Sequence, residues 1–323
     1  MSQRYLRILQ KNFPDNKYYV LRNNNSNLYL PDDKKIKTKD KNLYKFYKLK
    51  NIKFNEIKYV KPYISIISDF EDNRIKKIKE VIKCGSHIFC EKPLNDELLS
   101  KSDLLVLNNK MKNKKINFAI SYFINENALL KQLAKNLSNP NKIIKIEINN
   151  SEHIFDIVGY GRGNNSQYFS KKKTRSVFIQ QSHDLNFFYR IFGLPKLTYL
   201  KLSNKKNTIN TDFVSTFIGY YKKYNFDIII NNSFLSANPE RVYKIYMKEK
   251  VIIVDLHKNF IEIFDYKTRK INKKFYKINR LNIFEKKIKK FINKIKNKKY
   301  SNDFIKSAEF SNYIINCLRL KYK

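Results

Sequence analysis

The sequence predicts an α/β protein in which a parallel sheet is followed by an α+β domain with a large, mostly antiparallel sheet. In the first third, short apolar runs alternate with amphipathic helical patterns, which is typical of parallel strands joined by helices. From residue 142 onward, strand patterns with polar alternate positions follow one another closely, as in an antiparallel meander with one wet face. We therefore expect a first domain over residues 1–120 and a second over residues 121–323.

Length and composition favour a folded protein. The 323 residues are 42% hydrophobic and 15% aromatic, which argues against disorder and allows two domains. The sequence contains no stretch of eighteen uncharged apolar residues that would predict a membrane span. The first residues lack the apolar core of a signal peptide, so we expect a cytoplasmic protein. The three cysteines suit a reducing compartment, and no metal site is expected because they lack metal-like spacing.

The net charge of +39 raises the question of an anionic partner. Only 11 of the 67 basic residues are arginine; the excess lies in lysine, which is spread along the whole chain. Lysine, asparagine, isoleucine, tyrosine and phenylalanine all have A/T-rich codons, so a biased genome accounts for the charge. We expect no specific nucleic-acid partner, and keep a nucleic-acid-binding protein as the least favoured alternative.

Apolar spacing and turn signals place the elements of the first domain in order. They are a helix over 2–13, strand 17–22, a loop over 23–55 with a weak strand or helix near 43–49 as the alternative, strand 63–68, helix 72–83, strand 88–90, helix 96–111 and strand 116–120. Glu91, Lys92 and Pro93 follow strand 88–90. Because ligands bind outside the carboxyl ends of parallel strands, Glu91 and Lys92 are expected at a ligand crevice.

The second domain reads as helices that flank a strand meander. Helices are expected over 122–136, 176–192, 283–296 and 304–320, and strands over 142–149, 196–202, 212–221, 224–231, 243–247, 251–256, 260–266 and 273–276. Polar alternate positions indicate that one face of this sheet is solvated.

Two stretches resemble the Gfo/Idh/MocA oxidoreductases. One is Gly-x-His-(apolar)3-Glu-Lys-Pro at residues 85–93, and the other is Ser-His-Asp-Leu-(x)7-Gly at residues 182–193. The resemblance implies a Rossmann-type first domain, a nicotinamide cofactor, and a sugar or cyclitol substrate whose carbon is oxidised or reduced. It also implies catalytic roles for Lys92 and His183, with the two side chains lining one cleft. The resemblance further implies that the other face of the large sheet meets a second copy of the chain.

The glycine-rich turn of a dinucleotide-binding domain is missing from the sequence. Residues 2–9 resemble the run that follows this turn in the family, so Ser2 takes the place of the third glycine. The Rossmann-type sheet is therefore expected without its first strand, which is central in the order 3-2-1-4-5-6. We expect that the recorded start is internal or that the gene is truncated, which the upstream nucleotide sequence would decide.

The resemblance assigns the cofactor to Ser2, Arg22, Ser68, Glu91 and Lys92. Arg22 follows the second strand, where an acid would hold the ribose of NAD, so the cofactor is NADP or NAD with NADP slightly favoured. An exposed surface arginine is the alternative interpretation of this residue. The usual Thr-Pro-Asn after strand 63–68 is replaced by Asp-Phe-Glu.

His183 suits a general base, because its ordinary pKa of about 6.5 lies near neutrality. Lys92 would donate to the substrate oxygen. The acid that the family places one turn before the histidine is absent, since Ile179 and Gln180 stand there, and Asp184 lies about 100° away around the helix. A structural histidine is therefore the alternative for His183, and a degenerate, inactive family member is the alternative to an active oxidoreductase.

Overall fold

The computed structural model describes residues 2–21, 49–68, 74–95, 97–153, 176–203 and 212–321. The chain divides into two compact units. The first comprises Met1–Asn95, Ser100–Ser121 and Lys290–Ile305. The second comprises Asp96–Leu99, Tyr122–Lys289 and Lys306–Lys323.

The first unit is built from short parallel strands and helices. Its elements are α1 Ser2–Asn12, β1 Tyr18–Leu21, β2 Leu49–Ile52, a 3-10 turn Phe54–Glu56, α2 Ile57–Val60, β3 Ile64–Ile67, α3 Arg74–Lys83, β4 His87–Cys90, α4 Lys101–Asn113 and β5 Phe118–Ile120. Among the described residues, β1 and β2 form a parallel pair, and β3, β4 and β5 form a second parallel sheet in that order.

This split sheet confirms the predicted Rossmann-type arrangement. In the order 3-2-1-4-5-6, loss of strand 1 leaves the pair 3-2 and the triplet 4-5-6. The described pairings are β2-β1 and β3-β4-β5, and no described strand takes the place between them. The apolar run of residues 63–68 predicts a buried strand. Of the four residues of β3 only Ile67 is buried, because β3 pairs with β4 alone among the described strands.

Two boundaries in this part of the chain differ from the prediction. β2 lies inside the predicted loop, because Leu49–Ile52 holds a lysine and an asparagine and so lacks an apolar run. The helix predicted from residue 96 starts at Lys101, since the Ser100 hydroxyl accepts a hydrogen bond from the Asp103 amide at 3.0 Å and caps the helix there.

The second unit carries an eight-stranded sheet in the described residues. Its elements are a 3-10 turn Phe123–Glu126, α5 Ala128–Asn136, a 3-10 turn Pro140–Lys142, β6 Ile143–His153, α6 Val177–Gln180, α7 His183–Phe192, β7 Lys196–Ser203, β8 Val214–Tyr221, β9 Phe226–Ser233, β10 Leu235–Met247, β11 Lys250–Asp255, β12 Phe260–Asp265 and β13 Ile271–Phe275. The helices α8 Arg280–Lys296 and α9 Phe304–Lys321 end the chain. The strand order is β13-β12-β11-β10-β6-β9-β8-β7, with only the β6–β9 pairing parallel. The prediction of a large, mostly antiparallel sheet is thus confirmed.

One face of this sheet forms the core of the second unit. Alternate residues of its central strands, such as Ile148, Phe217 and Tyr243, are fully buried. Helix α6 packs on this face through Phe178, whose ring stacks on Phe217 at 5.5 Å. The alternation of the strands therefore decides which face the helices cover.

The helix predicted over residues 176–192 is interrupted. Residues 181 and 182 form a turn between α6 and α7, because the Ser182 hydroxyl donates to the Ile179 carbonyl at 2.8 Å and competes with the helical hydrogen bonds. Within the described ranges, no helix combines the length and the apolarity that crossing a bilayer requires.

Candidate functional site

The carboxyl edge of the β3-β4-β5 sheet gathers the residues that follow each strand. The Glu91 amide donates to the Ile67 carbonyl at 2.8 Å, and the Ser121 amide donates to the Cys90 carbonyl at 2.8 Å. These bonds extend the sheet by one residue beyond its last strand pairs. They bring Ser68, Glu91 and Ser121 to one edge, and the Lys92–Pro93 peptide bond that follows is cis.

Glu91 is a buried carboxylate with partners from two other elements. Its Oε1 accepts a hydrogen bond from the hydroxyl of Tyr5 on α1, and its Oε2 lies 3.3 Å from the Lys92 amide. The Tyr5 hydroxyl also lies 2.6 Å from Ser121 Oγ, and the Tyr5 ring packs edge-on against Phe89 at 5.5 Å. A chain of hydrogen bonds thus links α1 and the ends of β4 and β5.

Pro93, on the other side of Lys92, is held from α3. The Arg74 guanidinium, only 4% exposed, donates from Nη1 to the Pro93 carbonyl. Arg74 is the first residue of α3, where a cation gains nothing from the helix dipole. Lys92 is therefore flanked in sequence by two residues that are bound by buried side chains from separate helices.

In the second unit, His183 is the first residue of α7 and is 7% exposed. Its imidazole lies among aromatic rings, with the Phe123 centroid at 4.6 Å and the Tyr122 ring edge-on at 5.5 Å. Phe123 in turn stacks on Phe284 at 4.0 Å. This aromatic enclosure fixes the imidazole ring, and it suits a structural histidine as well as a positioned base.

Asp184 lies at the centre of a buried ionic network in the second unit. Its Oδ1 accepts hydrogen bonds from Arg241 Nε at 3.0 Å, Arg241 Nη2 at 2.7 Å and the Tyr243 hydroxyl. Its Oδ2 accepts from Asn150 Nδ2 at 2.7 Å. With four donors and no exposed surface, this carboxylate is engaged in anchoring α7 to β6 and β10.

The electrostatics of this network follow from burial. Burial is the largest single influence and lowers the pKa of Arg241, but the combined effect of Asp184, Tyr243 and Glu152 outweighs burial and raises the pKa. Burial, reinforced by the same carboxylate, raises the pKa of Tyr243 well above its ordinary value. Arg241 therefore stays charged and Tyr243 stays protonated, so the network is a fixed anchor and not a proton donor at neutral pH.

The predicted site residues fall in different parts of the structure. Ser68, Glu91 and Lys92 belong to the carboxyl edge of the first unit, and His183 belongs to the second unit, so its meeting with Lys92 stays a prediction. Arg22 and the side chain of Ser2 lie outside the described residues. Tyr5, Arg74 and Arg241 were not among the site residues predicted from the sequence, because neither of the two sequence motifs contains them.

The chain is similar to several solved structures, although no family model and no curated protein sequence matches it. Among solved structures, the Clostridium difficile dehydrogenase MviM has a TM-score of 0.67 at 17% identity and covers 98% of this chain and 95% of its own. Levoglucosan dehydrogenase in complex with NADH has a TM-score of 0.72 at 11% identity, with 99% and 95% covered.

A third similar structure, UDP-N-acetylglucosamine 3-dehydrogenase GnnA from Acidithiobacillus ferrooxidans, has a TM-score of 0.63 at 11% identity and covers 87% of this chain and 84% of its own. The chain therefore has the fold of these dehydrogenases. This is the fold that the resemblance of the two sequence motifs to the Gfo/Idh/MocA oxidoreductases implied.

Proposed function

We propose that this protein is an NAD(P)-dependent oxidoreductase that transfers a hydride between its cofactor and a hydroxyl or carbonyl carbon of a sugar or cyclitol. The observation that carries the proposal is the Glu91-Lys92-Pro93 turn at the carboxyl end of β4. Buried side chains bind both neighbours of Lys92, in a fold shared with structures described as NADH complexes of levoglucosan dehydrogenase. A lysine on the surface with no functional role would not need buried side chains to bind both of its neighbours.

The carboxyl edge fits the nicotinamide end of a dinucleotide. Ser68 and Lys92 offer a hydroxyl and an ammonium at the edge where parallel sheets bind such ligands, and the bound nicotinamide would accept or supply the hydride. No described residues form the glycine turn that holds a pyrophosphate, and the first glycine of the sequence is Gly85. The preference for NADP rests on Arg22 alone.

The proposed chemistry divides between two side chains. The Lys92 ammonium donates a hydrogen bond to the reacting oxygen of the substrate and stabilises the negative charge that develops there. His183 removes the hydroxyl proton during oxidation and returns it during reduction. Asp184 is not assigned as the missing second acid, because its four hydrogen bonds tie it to Arg241, Tyr243 and Asn150.

Fluorescence titration of the full chain with NADH and NADPH tests cofactor binding, and absorbance at the nicotinamide band tests turnover on levoglucosan, L-sorbose, UDP-N-acetylglucosamine and myo-inositol. Lys92→Ala should lower turnover by about 100-fold or more with little change in cofactor affinity. Lys83→Ala is a matched control, because the exposed Lys83 pairs only with Glu80 at 2.8 Å in the described structure. Unchanged turnover in Lys92→Ala would remove Lys92 from the mechanism.

A degenerate, inactive member of the same fold is the second candidate. Ile179, which stands at a position where the family carries an acid, is 2% exposed and packs in the core of the second unit. The inactive candidate predicts that neither nucleotide binds and that no sugar is turned over. Tight, saturable NADH or NADPH binding would contradict it.

We further propose a cytoplasmic homo-oligomer that associates through the open face of the large sheet. On the edge strand β13, Ile271 and Phe275 share one face and are 64% and 67% exposed. Tyr199, on the opposite edge strand β7, is also exposed. Sedimentation of wild-type protein and of Phe275→Lys tests this, since a monomeric wild type would contradict it. The cytoplasmic assignment is supported by the cysteine usage, since the chain has only three cysteines and they form no disulfide in the described structure.

A further inference from the structure

We infer that Tyr5 and Arg74 are positioning residues that hold Lys92 through its two neighbours in the chain. The inference deepens the proposed function, because it concerns the lysine to which that function assigns the substrate oxygen. It rests on hydrogen bonds from two helices to the residues before and after Lys92.

The contact before Lys92 is specific in its chemistry. Tyr5 is 1% exposed, and its hydroxyl donates to Glu91 while also meeting Ser121 Oγ at 2.6 Å. Burying a carboxylate is unfavourable unless donors satisfy it. A phenylalanine at position 5 would keep the edge-on packing against Phe89 but would leave Glu91 without this donor. The hydroxyl of Tyr5 therefore stabilises the Glu91 carboxylate, whereas its ring contributes to core packing.

The contact after Lys92 places a permanent charge in the interior. Arginine cannot lose its proton in a protein, so burying its guanidinium is costly unless hydrogen bonds compensate. A methionine would fill a similar volume without this cost. The guanidinium instead binds the carbonyl of Pro93, a main-chain group that lies one residue from Lys92. Arg74 thus acts on the backbone that carries the lysine.

The two contacts matter because of the nature of the lysine side chain. An ammonium on a flexible four-carbon stem is placed by its backbone and not by a rigid head group. Misplacement of a reacting group by about 1 Å can lower a rate about 100-fold. The backbone of Lys92 is fixed by the sheet on the β4 side and by Arg74 on the Pro93 side.

Competitive acetylation with acetic anhydride, read lysine by lysine through peptide mass spectrometry, tests the inference on the full chain without cofactor or substrate. Tyr5→Phe removes the donor to Glu91, and Arg74→Met removes the donor to the Pro93 carbonyl, so each variant releases one neighbour of Lys92. The amine then leaves the position that the wild-type backbone gives it. We expect the rate of Lys92 at pH 8 to change selectively, by about threefold or more, in each variant.

Arg74→Lys restores a hydrogen-bond donor at this position and should bring the Lys92 rate back towards wild type, which loss of packing alone would not predict. The rates of Lys83 and Lys131 are internal controls, since their ion pairs with Glu80 and Glu126 do not involve this edge. Ser121→Ala, a milder change, covers the case in which Tyr5→Phe unfolds.

An unchanged Lys92 rate in Tyr5→Phe and Arg74→Met would overturn the inference. A uniform rise at all lysines, with no selective change in Ser121→Ala, would also overturn it, since the residues would then be structural only. The outcome is separable from that of the proposed function. A selective change at Lys92 in a protein that binds no nicotinamide nucleotide would refute the oxidoreductase and leave the positioning role intact.

Discussion

Removing the Asp184 carboxylate is the sharpest test of how the second unit is held together. In Asp184→Ala, the Arg241 guanidinium, Asn150 and Tyr243 all lose an acceptor inside the protein. Breaking a buried ion pair by removing one partner costs about 3–5 kcal/mol, because the remaining charge stays buried. At about 2–4 °C per kcal/mol for a unit of 150–250 residues, the melting temperature should fall by about 6–20 °C.

Urea unfolding followed by circular dichroism, together with calorimetry, measures both quantities. Glu249→Ala is the matched control, because Lys142 and Glu249 form a 2.6 Å ion pair in the same unit with side chains 42% and 62% exposed. Such a surface pair contributes about 0–1 kcal/mol.

A double variant, Asp184→Leu with Arg241→Met, should recover part of the stability, since apolar replacement of both ionic partners is often neutral. Asn150 and Tyr243 still lose the Asp184 acceptor in this variant. A loss below about 1 kcal/mol in Asp184→Ala would refute the reasoning, because a fully buried carboxylate with four donors cannot then be engaged as described.

Three further predictions concern local features. Burial lowers the pKa of His87, and its Nδ1 accepts a hydrogen bond from the Asn117 amide at 3.0 Å. The neutral ring thus stabilises the fold fully above the unfolded pKa of about 6.5, and this contribution is lost as the pH falls through the lower folded pKa. The unfolding free energy should therefore drop when the pH falls below about 6.5. The drop should be smaller in His87→Asn. His257→Asn is the control, because His257 is exposed. Gly193 has φ 86° and ψ −167°. Its substitution by alanine should lower the free energy of unfolding by about 1–3 kcal/mol, as measured by urea unfolding. Ser100→Ala removes the cap of α4 and should cost about 1 kcal/mol in the same assay, and an unchanged midpoint would contradict the cap.

Much of the fold could be read from the sequence because periodicity is a local property. In β4 and α3, a few neighbouring residues were enough to predict which side chains are buried. β4 has an apolar run, and α3 has an apolar stripe in which Ile78 and Ile82 are buried. The same holds for the alternation along β9. The divided sheet was also predicted: the sequence has no glycine turn near residue 2, and among the described strands β1–β2 and β3–β4–β5 form separate sheets.

Short or interrupted elements were less predictable. β2 has four residues, among them a lysine and an asparagine, so its strand character comes from pairing with β1 and not from its own composition. The break between α6 and α7 depends on the rotamer of Ser182, which sends its hydroxyl to a backbone carbonyl. Neither feature has a periodic signal.

The sequence by itself determined the motifs that carry Lys92 and His183, because each motif is contiguous. Only the tertiary structure showed that Glu91 is bound by Tyr5, 86 residues earlier, and that Asp184 is bound by Arg241, 57 residues later. Contacts at such separations depend on how strands and helices pack, and no local pattern records them. The sequence therefore identified the side chains, whereas only the folded structure identified the residues that they contact.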